Sequence, residues 1–199
     1  PTLSETFIRR EVEALREAGL SLQVFALEPD DPPVSVDEAS PAGDVKYFGP
    51  EGSPSGRAFI LGCLRRQPWT VVRLWLYIVR LRGGSGSTWW RDRNVLYLAG
   101  QLASALQRAR VTHVHAPWAN QYAVLSFVAS RLTGVTFSAQ ARASEIHRTT
   151  QAPGVADRLR FAEFVVTNSQ YNERYLRGVL GPGAPPVHVV YNGLDLHRF

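Results

Sequence analysis

Three residue types are scarce or missing, and each shortage limits what the chain can be. Cys63 is the only cysteine among 199 residues, so an internal disulfide is excluded and a cytosolic setting is favoured. Methionine is absent and the chain starts at Pro1, so we expect a cut or processed amino terminus. Residues 1–19 are charged and amphipathic, and they lack the apolar run of a signal peptide. With 45% apolar residues, the chain can still bury a sizeable core.

Lysine is the third scarce type, and its replacement by arginine is uneven along the chain. Lys46 is the only lysine among 22 basic residues, and the formal net charge is +5. Residues 52–91 contain no Asp or Glu. Because the rest of the chain is close to neutral, this basicity is a local surface feature. The acid-free segment holds seven arginines and four tryptophans: Arg57, Arg65, Arg66, Arg73, Arg80, Arg82, Arg91, Trp69, Trp75, Trp89 and Trp90.

Hydrophobic spacing predicts an α/β fold. Strands are predicted over residues 21–27, 111–115, 135–139, 164–167 and 187–191. Helices are predicted over residues 2–19, 56–82 with a break near Pro68, 92–110, 119–133, 155–161 and 169–179, the last capped by Ser169. Residues 29–55 are predicted to be a long loop with a short apolar piece at 45–48. This alternation indicates a Rossmann-like parallel sheet with helices on both faces. Since the chain opens on a helix, we expect the first strand of the fold to lie before Pro1.

Two phosphate-binding fingerprints of α/β folds are absent from the sequence. Neither G-x-G-x-x-G nor the P-loop pattern occurs. The glycine-rich residues 83–86 do not follow a predicted strand, so we interpret them as a hinge. These absences argue strongly against a dehydrogenase or a nucleotide triphosphatase.

Polar side chains follow the predicted strands instead, at the edge where open α/β sheets bind ligands. His113 and His115 share one face of their strand, but no third metal ligand is evident, so polar contacts are favoured over a metal site. For His115, a ligand contact and a structural hydrogen bond both stay open. Asn168 and Ser169 lie at a later strand-to-helix turn, where helix capping explains Ser169.

The segment "FSAQARASEIHR" adds a second polar group after the next strand. Arg142 can hold a phosphate or a carboxylate through two hydrogen bonds. The alternative is an Arg142–Glu145 pair that ties a surface loop together. The density of polar residues at a strand end favours a binding site that includes Gln140.

The arginine- and tryptophan-rich segment permits three interpretations. Residues 69–82 are apolar nearly all round apart from a polar line of Arg73, Tyr77 and Arg80, and they are too short and too charged to span a bilayer. The helix is buried, lies on an anionic membrane, or binds nucleic acid, for which no recognition motif is present. Membrane contact explains the missing acids, the arginines and the tryptophans together. The expected membrane contacts are Arg65, Arg66, Trp69, Arg73, Trp75, Arg80 and Arg82.

Five motifs occur in an order that resembles a known family. They are "PTLSETFIRREVEALREAGLSLQVFAL", "HVHAPWA", "FSAQARASEIHR", "VVTNSQYN" and "VVYNGLDLHRF". The same series is similar to that of bacterial glycosyltransferases of family 4, of the exopolysaccharide and colanic-acid type. The similarity runs over nearly the whole chain and is weakest over residues 29–91.

The resemblance implies a GT-B enzyme, in which two Rossmann-like domains face each other across a cleft. Residues 1–199 would be the amino-terminal, acceptor-side domain, with residues 56–91 as a helical basic and aromatic insertion. In the family, a segment like Asn192-Gly193-Leu194-Asp195 ends the first domain. The donor-binding domain is therefore expected beyond Phe199, and this chain alone is expected to be inactive.

The implied reaction is the transfer of a sugar, with retained anomeric configuration, from a nucleotide-sugar to a saccharide acceptor. The acceptor is expected to be lipid-linked, in cell-surface polysaccharide synthesis at the cytoplasmic face of the plasma membrane. The family works without a metal or other cofactor, so none is expected, and no nucleic acid partner is expected. Two alternatives stay open: a nucleotide-sugar epimerase of the same fold, and a non-catalytic module that binds anionic lipid or nucleic acid.

The resemblance also implies site residues, although it identifies no catalytic residue. Ser4, Glu5 and Thr6 match the first loop and helix start of the family, where a helix amino terminus can meet a diphosphate. Members often carry His at the position of Gln140 and Asp at that of Glu145, so these differences affect the donor contacts. The implied donor or acceptor contacts are Ser4, Glu5, Thr6, His115, Gln140, Arg142, Glu145, Asn168, Asn192 and Gly193.

Overall fold

The computed structural model describes residues 6–27, 45–48, 55–84, 95–142, 144–147 and 154–193. The backbone divides into two compact units, Pro1–Ser53 and Pro54–Phe199. The first contains α1 (Thr6–Glu17), β1 (Val24–Leu27) and β2 (Val45–Phe48). The second contains α2 (Ser55–Arg66), α3 (Pro68–Gly84), α4 (Val95–Arg108), β3 (His113–Ala116), α5 (Gln121–Thr133), β4 (Thr136–Gln140), α6 (Ser144–His147), α7 (Val155–Leu159), β5 (Val165–Thr167), α8 (Gln170–Leu180) and β6 (Val187–Val189).

The first unit contains a parallel strand pair that sequence analysis predicted only in part. β1 pairs with β2 in parallel, from Val24 opposite Val45 to Leu27 opposite Phe48. The interpretation of the apolar piece 45–48 as part of a loop was wrong. A four-residue segment is too short to show strand periodicity, and it becomes a strand by pairing with β1. Residues 28–44, the rest of the predicted loop before it, lie outside the described residues.

The second unit is built on a four-stranded sheet in the order β3-β4-β5-β6, with every neighbouring pair parallel. β4 is the most buried strand, since Phe137, Ser138, Ala139 and Gln140 are all buried. The predicted α/β fold with parallel strands flanked by helices is confirmed. Because all four strands run the same way, their carboxyl ends meet at one edge of this sheet.

Helix α5 forms the layer next to the sheet. It contacts β3 and β4 and also α4, and nine of its residues are buried. A helix enclosed by protein on several sides needs no polar face, which explains its apolar sequence. Asn120 caps its start by accepting the N–H of Tyr122, and Gly134, at φ 81°, ends it in the left-handed region.

The break between α2 and α3 is confirmed near Pro68. The side chain of Gln67 donates to the main-chain oxygen of Leu132 at 3.0 Å and so attaches this break to α5. The prediction of a hinge at residues 83–86 was wrong for residues 83 and 84, because Gly83 and Gly84 complete the last turn of α3. Its second half lies outside the described residues.

Helices α2 and α4 cross at two glycines that allow their backbones to approach closely. A Cβ at Gly100 would lie 2.8 Å from Ile60 Cγ1 and 2.9 Å from the main-chain oxygen of Gly56. A Cβ at Gly56 would lie 2.8 Å from the main-chain oxygen of Tyr97. Any side chain at this crossing would therefore push the helices apart.

We predict opposite effects of the same substitution at two helical glycines. Gly100→Ala should lower the free energy of unfolding by about 1–3 kcal/mol, because the added methyl overpacks the α2–α4 crossing. Gly178→Ala in α8 should raise the free energy of unfolding by about 0.5–1 kcal/mol, because no atom of the described residues lies within 4 Å of the new Cβ and alanine favours helix. Urea unfolding of both variants measures the difference. Equal effects would show that the helices do not cross this closely.

Candidate functional site

The carboxyl edge of the four-stranded sheet brings together several of the predicted site residues. Gln140 ends β4, Arg142 and Glu145 follow it, and Asn168 follows β5. Asn192 follows β6 and is linked to Arg142 by a hydrogen bond. We refer to Gln140, Arg142, Glu145, Asn168 and Asn192, with Trp118, as the strand-end cluster.

Arg142 is the centre of this cluster. It is only 5% exposed. Its Nη1 donates to Asn192 Oδ1 at 3.4 Å, and its guanidinium carbon lies 5.6 Å from the centre of the Trp118 ring. One buried cation therefore joins the residues that follow β3, β4 and β6. Trp118 was not predicted, although a tryptophan that closely follows a predicted strand was a usable signal.

Glu145 stabilises the turn that carries Arg142. Its Oε1 accepts the main-chain N–H of Arg142 at 2.9 Å. Both residues are buried, so the alternative of an Arg142–Glu145 pair on a surface loop is corrected: the pair is internal, and Glu145 contacts the main chain of Arg142. Burial raises the pKa of the Glu145 carboxyl, while its hydrogen bonds and the charges of Arg142 and Arg158 act in the opposite direction.

Gln140 presents a buried amide oxygen at the end of β4. The residue is 5% exposed, and within the described part of the chain its Oε1 has no hydrogen-bond partner. A buried carbonyl oxygen without a partner costs free energy. A buried group without a partner at a strand end is a candidate for contact with a ligand or with ordered water.

His113 and His115 do share one face of β3, as predicted, and a buried serine connects them. Ser138 Oγ lies 2.7 Å from His113 Nε2 and 2.7 Å from His115 Nδ1. His113 Nδ1 lies 2.7 Å from Thr136 Oγ1, which in turn donates to the main-chain oxygen of Thr112. The structural hydrogen bond considered for His115 is therefore present, and its ligand contact stays a prediction.

The proton positions in this chain of bonds follow from the Thr136 hydroxyl. If that hydroxyl gives its one proton to Thr112, His113 Nδ1 carries the proton of the bond that joins it to Thr136. In the neutral ring, His113 Nε2 then accepts from Ser138, and Ser138 accepts from His115 Nδ1. This arrangement leaves the lone pair on His115 Nε2, where it can accept a hydroxyl proton.

Both histidines resist protonation in this setting. Burial lowers the pKa of His113, although the charge of Glu163 opposes the shift. For His115, burial is again the main cause, and the charges of His113 and Arg142 add to it, so that its pKa falls to about 4. His115 is an exposed residue, although its Nδ1 faces Ser138, which is fully buried. His115 is therefore a neutral hydrogen-bonding group at neutral pH.

Asn168 belongs to a second polar network, at the start of α8. Its Oδ1 accepts from Asn172 Nδ2 at 2.9 Å, and Asn172 Oδ1 lies 2.8 Å from His147 Nε2. Because that amide oxygen can only accept, His147 Nε2 carries the proton. Ser169 accepts the main-chain N–H of Asn172, which confirms the predicted cap. Sequence analysis missed His147 and Asn172, because residues 25 positions apart meet only through the fold.

The remaining predicted contacts are Ser4, Glu5, Thr6 and Gly193. Ser4 and Glu5 lie outside the described residues, and Thr6 begins α1 in the first unit. Gly193 is exposed beside Asn192. In the described ranges, no group of three His, Cys, Asp or Glu side chains is placed to hold a metal ion.

The basic helices α2 and α3 expose most of the predicted membrane contacts. Trp69 is 76% exposed and Trp75 is 54% exposed. The interpretation of α3 as a buried helix holds for one stripe only, because Val71, Leu74 and Ile78 are buried. No helix within the described ranges is long and apolar enough to cross a bilayer. Arg65, Arg66, Arg73 and Arg80 are also exposed, whereas the side chain of Arg82 lies outside the described residues.

Comparison with known proteins identifies a family for the chain. The family model described as Glycosyltransferase Family 4 matches residues 4–198. A search of curated proteins gives no significant match. The family match includes all four strands of the second unit and the whole strand-end cluster.

We predict that stability decreases in acid because of the histidine pair. Below pH 6.5 both histidines of the unfolded chain take up protons. In the folded chain His113 takes up its proton only at a lower pH, and His115 does so only near pH 4, so the free energy of unfolding falls as the pH drops. NMR titration of the ring nitrogens should give midpoints below 6.5 for both residues, with His115 near 4. The double variant H113Q/H115Q should flatten this part of the pH profile. Midpoints at or above the ordinary value, or an unchanged profile in the variant, would contradict the bonding described above.

Proposed function

This chain belongs to glycosyltransferase family 4, and from that premise we propose that it is the acceptor-binding domain of a retaining hexosyltransferase. The family supports a transferase that uses a nucleotide-sugar donor and an acceptor. The proposed acceptor is a lipid-linked saccharide in the synthesis of cell-surface polysaccharide of the exopolysaccharide or colanic-acid type. The proposed donor-binding domain follows this one in the protein and forms the other wall of the cleft.

The observation that carries the acceptor-binding role is the unpaired oxygen of Gln140 inside the strand-end cluster. Sugar hydroxyls donate hydrogen bonds, and among the described residues Gln140 Oε1 has no donor of its own. The lone pair on His115 Nε2 is a second acceptor, within the last two residues of the neighbouring strand β3. Two acceptors near the carboxyl ends of adjacent parallel strands suit a ligand with several hydroxyl groups.

Arg142 suits the donor side of the same reaction. Sugar transfer with retention passes through an oxocarbenium-like sugar and a departing diphosphate, and fixed positive charge stabilises that leaving group. Arg142 keeps its charge when buried, because a guanidinium does not lose its proton in proteins. Its contacts with Trp118 and Asn192 hold that charge in place. In this proposal the acceptor hydroxyl is held by Gln140 and His115, and no metal or cofactor takes part.

An epimerase of the same fold is the main alternative. It would change the sugar of a nucleotide-sugar without any acceptor. A non-catalytic module would bind lipid or nucleic acid and leave nucleotide-sugars unchanged. Product analysis separates the three cases, because only a transferase releases a nucleoside diphosphate and labels the acceptor.

The exposed side of α2 and α3 is the proposed contact with the inner face of the plasma membrane. The arginines and tryptophans exposed there lie in a segment of the sequence that contains no acidic residue. Such a surface attracts anionic headgroups and places aromatic rings at the lipid boundary. Sedimentation with vesicles of anionic lipid tests this surface, and failure to bind them would end this part of the proposal.

We predict that Gln140→Leu separates activity from stability. Leucine has a similar size and removes a buried polar group without a partner, so the melting temperature should stay the same or rise. The loss of the acceptor oxygen should lower kcat/KM for sugar transfer roughly ten- to a hundredfold. The assay measures labelled sugar incorporated into a lipid-linked acceptor by the protein that carries both domains.

Ser130→Ala provides a matched control. Ser130 is a buried polar residue on α5, away from the strand ends, and its loss should leave transfer unchanged. If Gln140→Leu stabilises the protein and transfer continues at the original rate, Gln140 does not contact the substrate.

A further inference from the structure

A pocket of about 340 Å³ opens on the helical side of the second unit. It lies between α3 and α5, next to the turn that follows α7. On α3, the lining residues recur at the spacing of a single helix face. The pocket is lined by Thr70, Arg73, Leu74, Tyr77, Phe127, Arg131 and Phe161.

One wall of the pocket is a fixed set of aromatic rings. Phe127 and Phe161 stack with ring centres 4.8 Å apart, and Tyr77 packs edge-on against Phe127 at 4.9 Å. The hydroxyl of Tyr77 donates to the main-chain oxygen of Asp157 at 2.9 Å, so that it is turned toward α7. The ring contacts and this hydrogen bond hold the three side chains of the wall against one another.

Two arginines supply the charge of the pocket. The guanidinium of Arg131 lies 5.8 Å from the Phe127 ring centre and 5.7 Å from that of Phe161. Within the described part of the chain, neither Arg131 nor Arg73 forms a hydrogen bond or an ion pair. The nearby carboxylate of Asp157 pairs with Arg160 at 3.5 Å. The pocket therefore presents two cations that are not neutralised by the described protein.

The pocket is separate from the strand-end cluster. Asn120 caps α5 near the carboxyl edge of the sheet, and Arg131 lies in the last turn of the same helix. Eleven residues of α-helix span about 16 Å. A ligand in the pocket would therefore not occupy the cluster that holds Gln140 and Arg142.

The surface around the pocket resembles a membrane contact more than a site for a free ion. Beside the face of α3 that lines the pocket, the adjoining face exposes large apolar side chains, including Trp69, Val72 and Leu76. Arg73 lies between the two faces. On a helix that rests on a bilayer, the boundary between the apolar face and the polar face lies at the level of the lipid phosphates. Arginine binds phosphate through paired N–H groups, which suits such a position.

We propose that the pocket between α3 and α5 binds the phosphate of an anionic membrane lipid, with Arg73 and Arg131 as its two ligands. The phosphate lies between the guanidinium groups, and the lipid glycerol packs against the aromatic wall. This inference rests on the proposed membrane contact of α3, and it does not depend on sugar transfer. Such a pocket would recognise individual lipid molecules, in addition to the general attraction of the helix to anionic surfaces.

The first experiment measures binding of dihexanoyl phosphatidic acid below the concentration at which it forms micelles. The wild type should bind it, and R73Q/R131Q should bind it at least about tenfold more weakly, because two charge-assisted contacts are lost. R65Q/R66Q removes the same charge from the exposed surface of α2 and should bind the soluble lipid like the wild type. R108Q/R174Q also removes two positive charges, from exposed positions on α4 and α8, and serves as the control for the change in net charge. Thermal melting shows whether each variant is folded.

The second experiment uses vesicles of phosphatidylcholine with and without phosphatidic acid. R73Q/R131Q and R65Q/R66Q should both weaken sedimentation, whereas only R73Q/R131Q should also lose the soluble lipid. If both variants lose the same affinity for the soluble lipid, surface charge explains the binding and the proposed pocket is wrong. Equal affinity for inorganic phosphate and for the short-chain lipid would overturn the lipid as its ligand. Lack of soluble-lipid binding by the wild type would overturn the site itself.

The pocket and the proposed enzyme can fail separately. Sugar transfer without soluble-lipid binding would overturn the pocket alone. Binding that depends on Arg73 and Arg131, in a protein that transfers no sugar, would overturn the transferase role alone.

Discussion

A single buried arginine determines how the strand ends of this protein are arranged. A guanidinium stays charged at any pH that a folded protein tolerates, so its burial is costly unless other groups compensate for the lost water. For Arg142, the compensating groups come from different parts of the sheet: the Trp118 ring after β3, the Asn192 amide after β6, and the Glu145 carboxylate, which holds the turn of Arg142 itself. The parallel strands bring these segments to one edge, and Arg142 makes them a connected surface. Gln140 ends β4 at that edge, and in the proposed function its buried oxygen accepts a hydroxyl group of the ligand.

The alternation of strands and helices was predictable because it depends on local spacing. The break near Pro68 and the cap at Ser169 were predictable for the same reason, since each is encoded within a few residues. What sequence analysis missed depends on pairing across the chain. The strand at residues 45–48 exists because it pairs with β1, and a segment of four residues carries no periodicity of its own. The same limit applies to the cluster. Arg142 meets an amide 50 residues later, and Ser138 joins two histidines of the preceding strand, contacts that follow from sheet order and register.

The second unit presents two surfaces with different chemistry, and α5 connects them. Its first turn lies near the strand-end cluster, which is the proposed site for the sugar and the phosphate leaving group. Its last turn carries Arg131 beside the aromatic pocket and the exposed side of α3. The family match establishes the kind of enzyme to which this unit belongs. In the proposed function, one end of α5 faces the saccharide and the other faces the lipid bilayer, as a lipid-linked acceptor would require.

The coupling between Arg142 and Trp118 is the most direct test of this account. A double-mutant cycle with Arg142→Met and Trp118→Leu, followed by urea unfolding at neutral pH, measures that coupling without a substrate. A guanidinium held over an indole ring in a buried site should give a coupling of about 0.5–2 kcal/mol. If the two substitutions are instead additive within about 0.3 kcal/mol, Arg142 does not hold the strand ends together, and the central claim is contradicted.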